Sequence, residues 1–252
     1  MRSLAHIRIV IVEPSGALNV GSVARVMKNM GLSDLVLVTP RCDHLGDEAR
    51  LMAVHAPEIL EKAQVVEDLP TALRGCQKTI ATTGQPRELS TPMETPKQVL
   101  PWLLEDEAPS AIIFGREDNG LTNTELNHAQ RFLCIPTGST YTSLNLAQAI
   151  AVCCYELRSL STAPIQQPNS SNQDLADRQA LEGYYKHLEE LLLKIGYLQP
   201  HTTEARMNKF RTLYNRNQLT QAETSMLRGI LRQTAWAIAN PEKLQSDNPE
   251  EN

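Results

Sequence analysis

Short apolar, β-branched runs alternate with segments of helical periodicity through the first 160 residues of the chain. The apolar runs predict five strands, at residues 7–12, 35–38, 79–83, 111–114 and 132–135. Apolar residues at helical spacing predict helices at residues 20–30, 47–53, 69–73, 96–104, 122–129 and 144–160. This alternation is typical of an α/β fold with a parallel sheet covered on both faces. In such sheets ligands bind beyond the carboxyl ends of the strands, so the loops at those ends are the candidate site.

A different pattern marks the last third of the chain. Residues 161–174 contain two prolines and no basic residue, which predicts a flexible linker. Beyond it, apolar residues recur at helical spacing up to Gly196: Leu181, Tyr184, Tyr185, Leu188, Leu191, Leu192 and Ile195. Thr220 and Glu223 have the spacing of a capping box and predict another helix, with an inward face of Met226, Leu227, Ile230, Leu231 and Ile238. The sequence thus predicts an α/β domain (1–160), a linker (161–174) and a small α-helical module (175–252), whose polar tail from about residue 240 we expect to be disordered.

The composition is that of a soluble globular protein, with 41% hydrophobic and 21% charged residues among 252. No apolar run approaches the roughly 18 residues of a membrane-spanning helix, and the amino-terminal segment leads into a strand rather than resembling a signal peptide. We therefore expect a cytoplasmic protein with no membrane partner. The five cysteines are odd in number and lack CxxC spacing, which argues against a disulfide framework or a zinc site.

The net charge of −5 argues against a nucleic-acid partner, but the charges are unevenly distributed. Between residues 206 and 232 there is one acid, Glu223, and six basic residues: Arg206, Lys209, Arg211, Arg216, Arg228 and Arg232. Because phosphate binding depends on local charge, this stretch predicts contact with RNA or DNA. The alternative is an ordinary solvated helix surface.

Three segments at the predicted strand ends carry residues suited to chemistry. The first, residues 13–31, leaves a strand and enters a helix with Asn19, Gly21 and Arg25 on its opening turns. Its backbone N–H groups could bind an anion, or it could be only a capped helix start. The dinucleotide-binding pattern GxGxxG is absent from it.

The second segment, FGREDNGL (114–121), follows an apolar strand. Gly115 would let a ligand approach the backbone beside Arg116 and Glu117, or the segment could be a simple turn. The third, IPTGSTYTSLNLAQAIAV (135–152), runs from the last predicted strand into a helix. Ser143 could cap that helix, whereas Asn145 on its first turn is well placed to bind a ligand.

Taken together, NVGSVAR, FGREDNGL and SLNLAQA resemble the three motifs of the SPOUT superfamily of knotted RNA methyltransferases, specifically its TrmH-like ribose 2'-O-methylating branch. They occur in the family's order, after the first, fourth and fifth predicted strands, and the resemblance runs through residues 7–160. The helical module resembles the extension of one family member, which methylates cytidine or uridine at position 32 of the tRNA anticodon loop. The resemblance implies a parallel sheet with a trefoil knot, a homodimer and a tRNA substrate.

The resemblance also implies a cofactor and a set of site residues. S-adenosylmethionine would be held by Thr82, Thr83, Gly84, Gly115, Ile135, Thr142, Ser143 and Leu144. The catalytic positions would be Arg25, Asn19, Glu117, Ser143 and Asn145, and no metal is implied. Because a guanidinium has a pKa above about 12 and no acceptor capacity, Arg25 is better suited to gripping a substrate phosphate than to acting as a base.

Three alternatives stay open at this point. The target could be another tRNA or rRNA nucleotide. The chain could also be a non-catalytic RNA-binding protein of the same fold. A nucleotide-dependent enzyme on a doubly wound sheet is a third possibility, against which the missing GxGxxG and P-loop motifs count.

Overall fold

The computed structural model describes residues 2–84, 92–140, 142–162 and 174–242. The chain forms two compact units, Met1–Asn172 and Gln173–Asn252. In the described ranges no helix is long and apolar enough to span a bilayer.

The first unit is built on a seven-stranded, all-parallel sheet. Its strands are β1 (Ile7–Val12), β2 (Asp34–Val38), β3 (Gln64–Val66), β4 (Lys78–Thr82), β5 (Met93–Glu94), β6 (Ser110–Phe114) and β7 (Arg131–Leu133). They lie in the order β3-β2-β1-β6-β4-β7-β5. The parallel sheet and all five predicted strands are confirmed, with ends that differ by up to two residues. The short edge strands β3 and β5 were not predicted.

In the described residues of this unit, seven α-helices surround the sheet. They are α1 (Ala17–Met30), α2 (Asp47–Ala53), α3 (Pro57–Lys62), α4 (Leu69–Ala72), α5 (Pro96–Val99), α6 (Asn123–Leu126) and α7 (Leu146–Thr162), and a 3₁₀ turn over Leu100–Leu104 continues α5. Alternate residues of β1 enter two separate cores. Ile9 and Ile11 pack with α1, α2 and α7, whereas Val10 and Val12 pack with α4 and α6. Burial of each such side chain stabilises the fold by about 1.5–3 kcal/mol, and both faces of the sheet are covered as predicted.

The end of α7 differs from the predicted domain boundary. The helix continues to Thr162, so the first two residues of the predicted linker are helical. Ser161 is buried, its hydroxyl donates to the Arg158 carbonyl, and its own carbonyl accepts from the Arg2 N–H at 3.0 Å. These contacts explain why the helix extends past the boundary that composition suggested. The rest of the predicted linker, residues 163–173, lies outside the described residues.

The described part of the second unit contains three α-helices, α8 (Arg178–Lys194), α9 (Thr203–Asn215) and α10 (Gln221–Ala239), and a 3₁₀ turn over Pro200–Thr202 precedes α9. Its core is formed mainly by α8 residues, including Leu181, Tyr184 and Tyr185. Gly196 follows α8 with a φ of 75°, and Thr220 with Glu223 forms the predicted capping box of α10. The helical character of this unit is therefore confirmed. The expected disordered tail falls mostly on residues 243–252, outside the described residues.

The predicted inward face of α10 is only partly correct. Leu227 and Leu231 pack against the core, but Met226, Ile230 and Ile238 are 59%, 55% and 43% exposed. Apolar residues occur on both sides of this helix, so their spacing alone could not identify the buried side. The periodic pattern predicted the helix correctly and three of its inward residues wrongly.

Candidate active site

A cavity of about 350 Å³ lies at the carboxyl ends of β4, β6 and β7. All eight residues expected to hold the cofactor line it: Thr82, Thr83, Gly84, Gly115, Ile135, Thr142, Ser143 and Leu144. They come from three loops that are separated in sequence and meet because parallel strands end at the same edge of a sheet. The volume of the cavity is in the range of small-molecule binding sites.

Gly115 is required by the packing of the loop that follows β6. A Cβ atom added to it would lie 2.1 Å from the carbonyl carbon of Gly120, far inside van der Waals contact. Paired backbone hydrogen bonds between Arg116 and Gly120 close this tight loop, and Gly120 has a φ of 66°. We expected Gly115 to let a ligand approach the backbone, but the atoms that exclude a side chain at this position are backbone atoms of the same loop.

Arg116 holds this loop to the end of β1. Its guanidinium binds both carboxylate oxygens of Glu125, at 2.9 and 3.0 Å, and also pairs with Glu13. Hydrogen bonds with Glu125, and to a smaller extent with Glu13, raise the pKa of Arg116 above its usual value. Glu13 has a φ of 45° and also pairs with Arg41. Arg116 is therefore committed to internal carboxylates, and Glu13 was missed because its partner lies 103 residues away.

Glu117 caps the amino terminus of α1 from another loop. Its carboxylate accepts from the N–H groups of Ser15 and Gly16, at 3.1 and 3.0 Å, and from the side chains of Ser15 and Asn19. Gly16, the N-cap residue, has no side chain to do this. Burial raises the pKa of Glu117, but these hydrogen bonds together lower it by more, so the pKa lies below its usual value. The carboxylate thus stays ionised and orients Asn19, a role better suited to it than accepting a proton.

Asn145 joins this arrangement to α7. Its side-chain nitrogen donates to the Asn19 oxygen at 2.9 Å, and its own oxygen accepts from the N–H groups of Ala147 and Gln148. Asn145, rather than Ser143, is therefore the residue that caps α7. The three predicted segments meet through a chain of hydrogen bonds from Glu117 through Asn19 to Asn145.

Arg25 is the predicted site residue that the structure does not place with the others. It is exposed on α1, six residues after Asn19, and is not part of the cavity lining. Six residues correspond to about 120° around a helix, so the two side chains leave α1 in different directions. Its guanidinium makes no ion pair with any residue in the described ranges. Gly21 has a packing role, since an added Cβ would lie 2.1 Å from the Ala49 carbonyl oxygen of α2.

The predicted basic stretch of the second unit is divided by its contacts. Arg211 binds both oxygens of Glu182, at 2.6 and 2.8 Å, over the ring of Tyr185, and Arg206 donates to the Tyr197 carbonyl. These contacts commit both guanidinium groups to their own unit. Among the residues that the structure describes, four of the six basic groups have neither an ion pair nor a side-chain hydrogen bond: Lys209, Arg216, Arg228 and Arg232. In the same described part of the chain, no group of three or more His, Cys, Asp or Glu side chains is arranged to hold a metal ion.

Comparisons with known proteins bear on both units. Residues 6–155 match the SpoU rRNA Methylase family, and residues 179–245 match the C-terminal domain of the tRNA methyltransferase TrmJ. Over 243 residues the chain is 39% identical to the tRNA (cytidine/uridine/adenosine-2'-O-)-methyltransferase TrmJ of Pseudomonas aeruginosa, covering 92% of this chain and 94% of the relative.

Solved structures of similar proteins have the same fold. TrmJ from Z. mobilis ZM4 superposes with a TM-score of 0.82 at 31% identity, over 90% of this chain and 98% of that chain. The AdoMet-bound rRNA methyltransferase of Sinorhizobium meliloti superposes with a TM-score of 0.50 at 18% identity, over 62% of this chain and 57% of that chain. The second likeness extends to the fold alone.

Proposed function

We propose, since this chain belongs to the SpoU rRNA methylase family, that it transfers a methyl group from S-adenosylmethionine to a ribose 2'-hydroxyl of tRNA. The observation that carries the proposal is the cavity at the carboxyl ends of β4, β6 and β7, lined by all eight residues expected to hold the cofactor. A tRNA substrate is supported by the match to the TrmJ C-terminal domain and by the names of the relatives that span most of the chain.

The lining of the cavity fits S-adenosylmethionine. Apolar side chains such as Leu133 and Ile135 suit an adenine ring, and Asp118 adds a carboxylate. Arg116, the cation among the described lining residues, is neutralised by its two glutamates. In the described part of the lining, acidic side chains without an uncommitted cation favour a positively charged ligand, and this cofactor carries a sulfonium and an ammonium group. When bound, it supplies a methyl group that a nucleophile displaces from sulfur.

The residues around the cavity would position the ribose hydroxyl for in-line attack. Glu117, which lines the cavity, fixes Asn19, and Asn19 fixes Asn145, so polar groups at the starts of α1 and α7 are held beside the cavity before substrate arrives. Such preorganisation can supply several kcal/mol of barrier lowering through orientation alone. Ser143, which lines the cavity on the segment before α7, would contact the nucleotide. These side chains bind and orient the nucleotide, and the proton of the 2'-hydroxyl passes to solvent water as its oxygen takes the methyl group.

Arg25 is proposed to grip an RNA phosphate next to the reacting ribose. It has the free, exposed guanidinium that bidentate phosphate binding needs, and it lies outside the cofactor cavity. The resemblance to the SPOUT family supports a homodimer with its active sites near the subunit interface. The same resemblance supports a trefoil knot in the first unit, a cytoplasmic location and position 32 of the anticodon loop as the target.

Mass spectrometry of tRNA from a deletion strain tests this proposal. The expected result is loss of one 2'-O-methylated nucleotide, at position 32, and its restoration in vitro by the purified protein with S-adenosylmethionine. Loss at another nucleotide would refute the position and keep the reaction. Cofactor binding with no transfer to any RNA would instead identify a non-catalytic RNA-binding protein.

A further inference from the structure

Two loops beside the cofactor cavity are joined by a pair of reciprocal contacts. The loop after β1 supplies the Glu13 carboxylate, which pairs with the Arg116 guanidinium of the loop after β6. The loop after β6 supplies the Glu117 carboxylate, which accepts from the Ser15 and Gly16 N–H groups of the loop after β1 at 3.1 and 3.0 Å. Each loop therefore gives one carboxylate to the other.

The register of the sheet brings Glu13 and Arg116 together. β1 and β6 are parallel neighbours in which Ile11 lies opposite Phe114, so the residues two positions further along each chain segment come level with each other. Those residues are Glu13 and Arg116. Their ion pair follows from the strand pairing, and a displacement of the loop after β6 relative to the end of β1 would break it.

Glu13 itself has an unusual backbone conformation. Its φ of 45° lies in the left-handed region, which residues with a side chain adopt only when surrounding contacts hold them there. Its N–H donates to the Val38 carbonyl at 2.8 Å, and its carboxylate pairs with Arg116 and Arg41. The Arg116 side chain is 15% exposed and that of Arg41 is 60% exposed, and Arg116 contributes more than Arg41 to lowering the pKa of Glu13. The inner contact, with Arg116, is therefore the one that holds Glu13.

These contacts connect two regions with different ligands. Arg116 and Glu117 line the cofactor cavity, whereas residues 13–16 lead into α1, the helix that carries Asn19 and Arg25. Because the contacts are reciprocal, the wall of the cavity and the start of α1 are held as one piece. A ligand that fixes one of these regions reduces the conformational entropy that a second ligand must remove from the other, which makes the two binding events cooperative.

We propose that Glu13 is a positioning residue that couples cofactor binding in the cavity to RNA binding at α1. Glu13 is outside the described lining of the cavity, so it acts through Arg116 rather than by contact with the cofactor. Coupling of this kind is reciprocal, so each ligand raises the affinity for the other by the same factor. The inference rests on the proposed function, because it takes S-adenosylmethionine and tRNA as the two ligands.

The tRNA affinity of the full-length protein, measured with and without S-adenosylhomocysteine, tests the coupling. This thioether is the product form of the cofactor and has no methyl group to transfer, so binding is measured without reaction. It should tighten the binding of tRNA from a deletion strain about fivefold in the wild type and less than about twofold in Glu13→Gln. Arg41→Gln is the matched control, because it removes the exposed partner of the same carboxylate and leaves the Arg116 contact, and it should keep the wild-type ratio.

Glu13→Gly is a second test that does not require a side chain in the left-handed region, since glycine adopts a φ of 45° without steric cost. It should remain folded by thermal unfolding and show the same reduced ratio as Glu13→Gln. A merely structural role would lower the Tm and both affinities together and leave the ratio of tRNA affinities unchanged.

Three outcomes would overturn the proposal. They are no tightening of tRNA binding in the wild type, the wild-type ratio in both Glu13 variants, or an equal loss of the ratio in Arg41→Gln. Methyl transfer from S-adenosylmethionine by the wild type is measured separately. Loss of coupling with intact transfer refutes only the role of Glu13, whereas absent transfer refutes the proposed function.

Discussion

The Asn145 side chain donates a hydrogen bond to the Asn19 side chain at 2.9 Å, across 126 residues of sequence. Asn19 in turn donates to Glu117, so three loops from different strands are joined at one point. Asn145 also caps α7, and Glu117 caps α1. The same polar groups therefore fix two helix ends and stand beside the cofactor cavity. Loss of one of them should affect stability and activity together.

Replacing Glu117 with Gln should destabilise the first unit by roughly 1–3 kcal/mol, because one amide cannot accept from all the donors that now face the carboxylate. Methyl transfer should fall further than stability explains, since Asn19 loses its fixed orientation. Thermal unfolding and a tritium-transfer assay measure the two effects. Glu107→Gln, at an exposed position away from the site, is the control. Equal stability and equal methyl transfer in Glu117→Gln and Glu107→Gln would contradict the capping role of Glu117.

The contribution of Glu117 should depend on pH in a defined direction. Its pKa is lowered in the folded state, so its stabilisation is complete above the unfolded-state pKa and is lost as pH falls through the folded-state value. The stability difference between wild type and Glu117→Gln should therefore be largest near neutral pH and shrink in acid. Urea unfolding at a series of pH values measures it, and a difference that grows in acid would contradict the assignment.

The sequence predicted this fold well wherever a segment is buried on both sides. The β-branched runs of β1 and β6 reach the core on both faces, so their ends were predicted within one residue. The edge strand β3 has an exposed Val65 and was missed because its three residues are too few to show a strand pattern. Individual site residues could be named from motifs, but the pairing of Arg116 with Glu13 and of Glu117 with Gly16 could not, since no local pattern links residues about 100 positions apart.

Replacing Arg25 with Ala should abolish methyl transfer and leave S-adenosylmethionine binding almost unchanged, because Arg25 lies outside the cavity. Calorimetry measures cofactor binding, and transfer to tRNA measures activity. Arg25→Lys is the informative companion, since it keeps the charge and loses the bidentate geometry, and it should retain only a small part of the activity. Equal loss of cofactor binding and transfer in Arg25→Ala would place this residue in the cofactor site.

Replacing Gly115 with Ala should disrupt the cavity through the clash with Gly120. Overpacking of this kind costs typically 1–3 kcal/mol, which corresponds to a Tm decrease of several degrees for a chain of about this size. Cofactor affinity should fall as well, because the loop after β6 forms one side of the cavity. Gly138→Ala is the matched control, since a Cβ there meets no atom within 4 Å. A normal Tm and normal cofactor affinity in Gly115→Ala would contradict the clash.

A chain of residues 1–172 should fold, bind S-adenosylmethionine and bind tRNA more weakly than the full protein. The first unit ends at Asn172, and this boundary keeps Ser161, whose carbonyl accepts from the Arg2 N–H. A shorter chain ending at residue 159 removes that buried contact and should have a lower Tm, which makes it the test of where the unit ends. The salt slope of tRNA binding should be lower in the 1–172 chain than in the full protein. An unchanged affinity and slope would show that tRNA recognition lies wholly in the first unit.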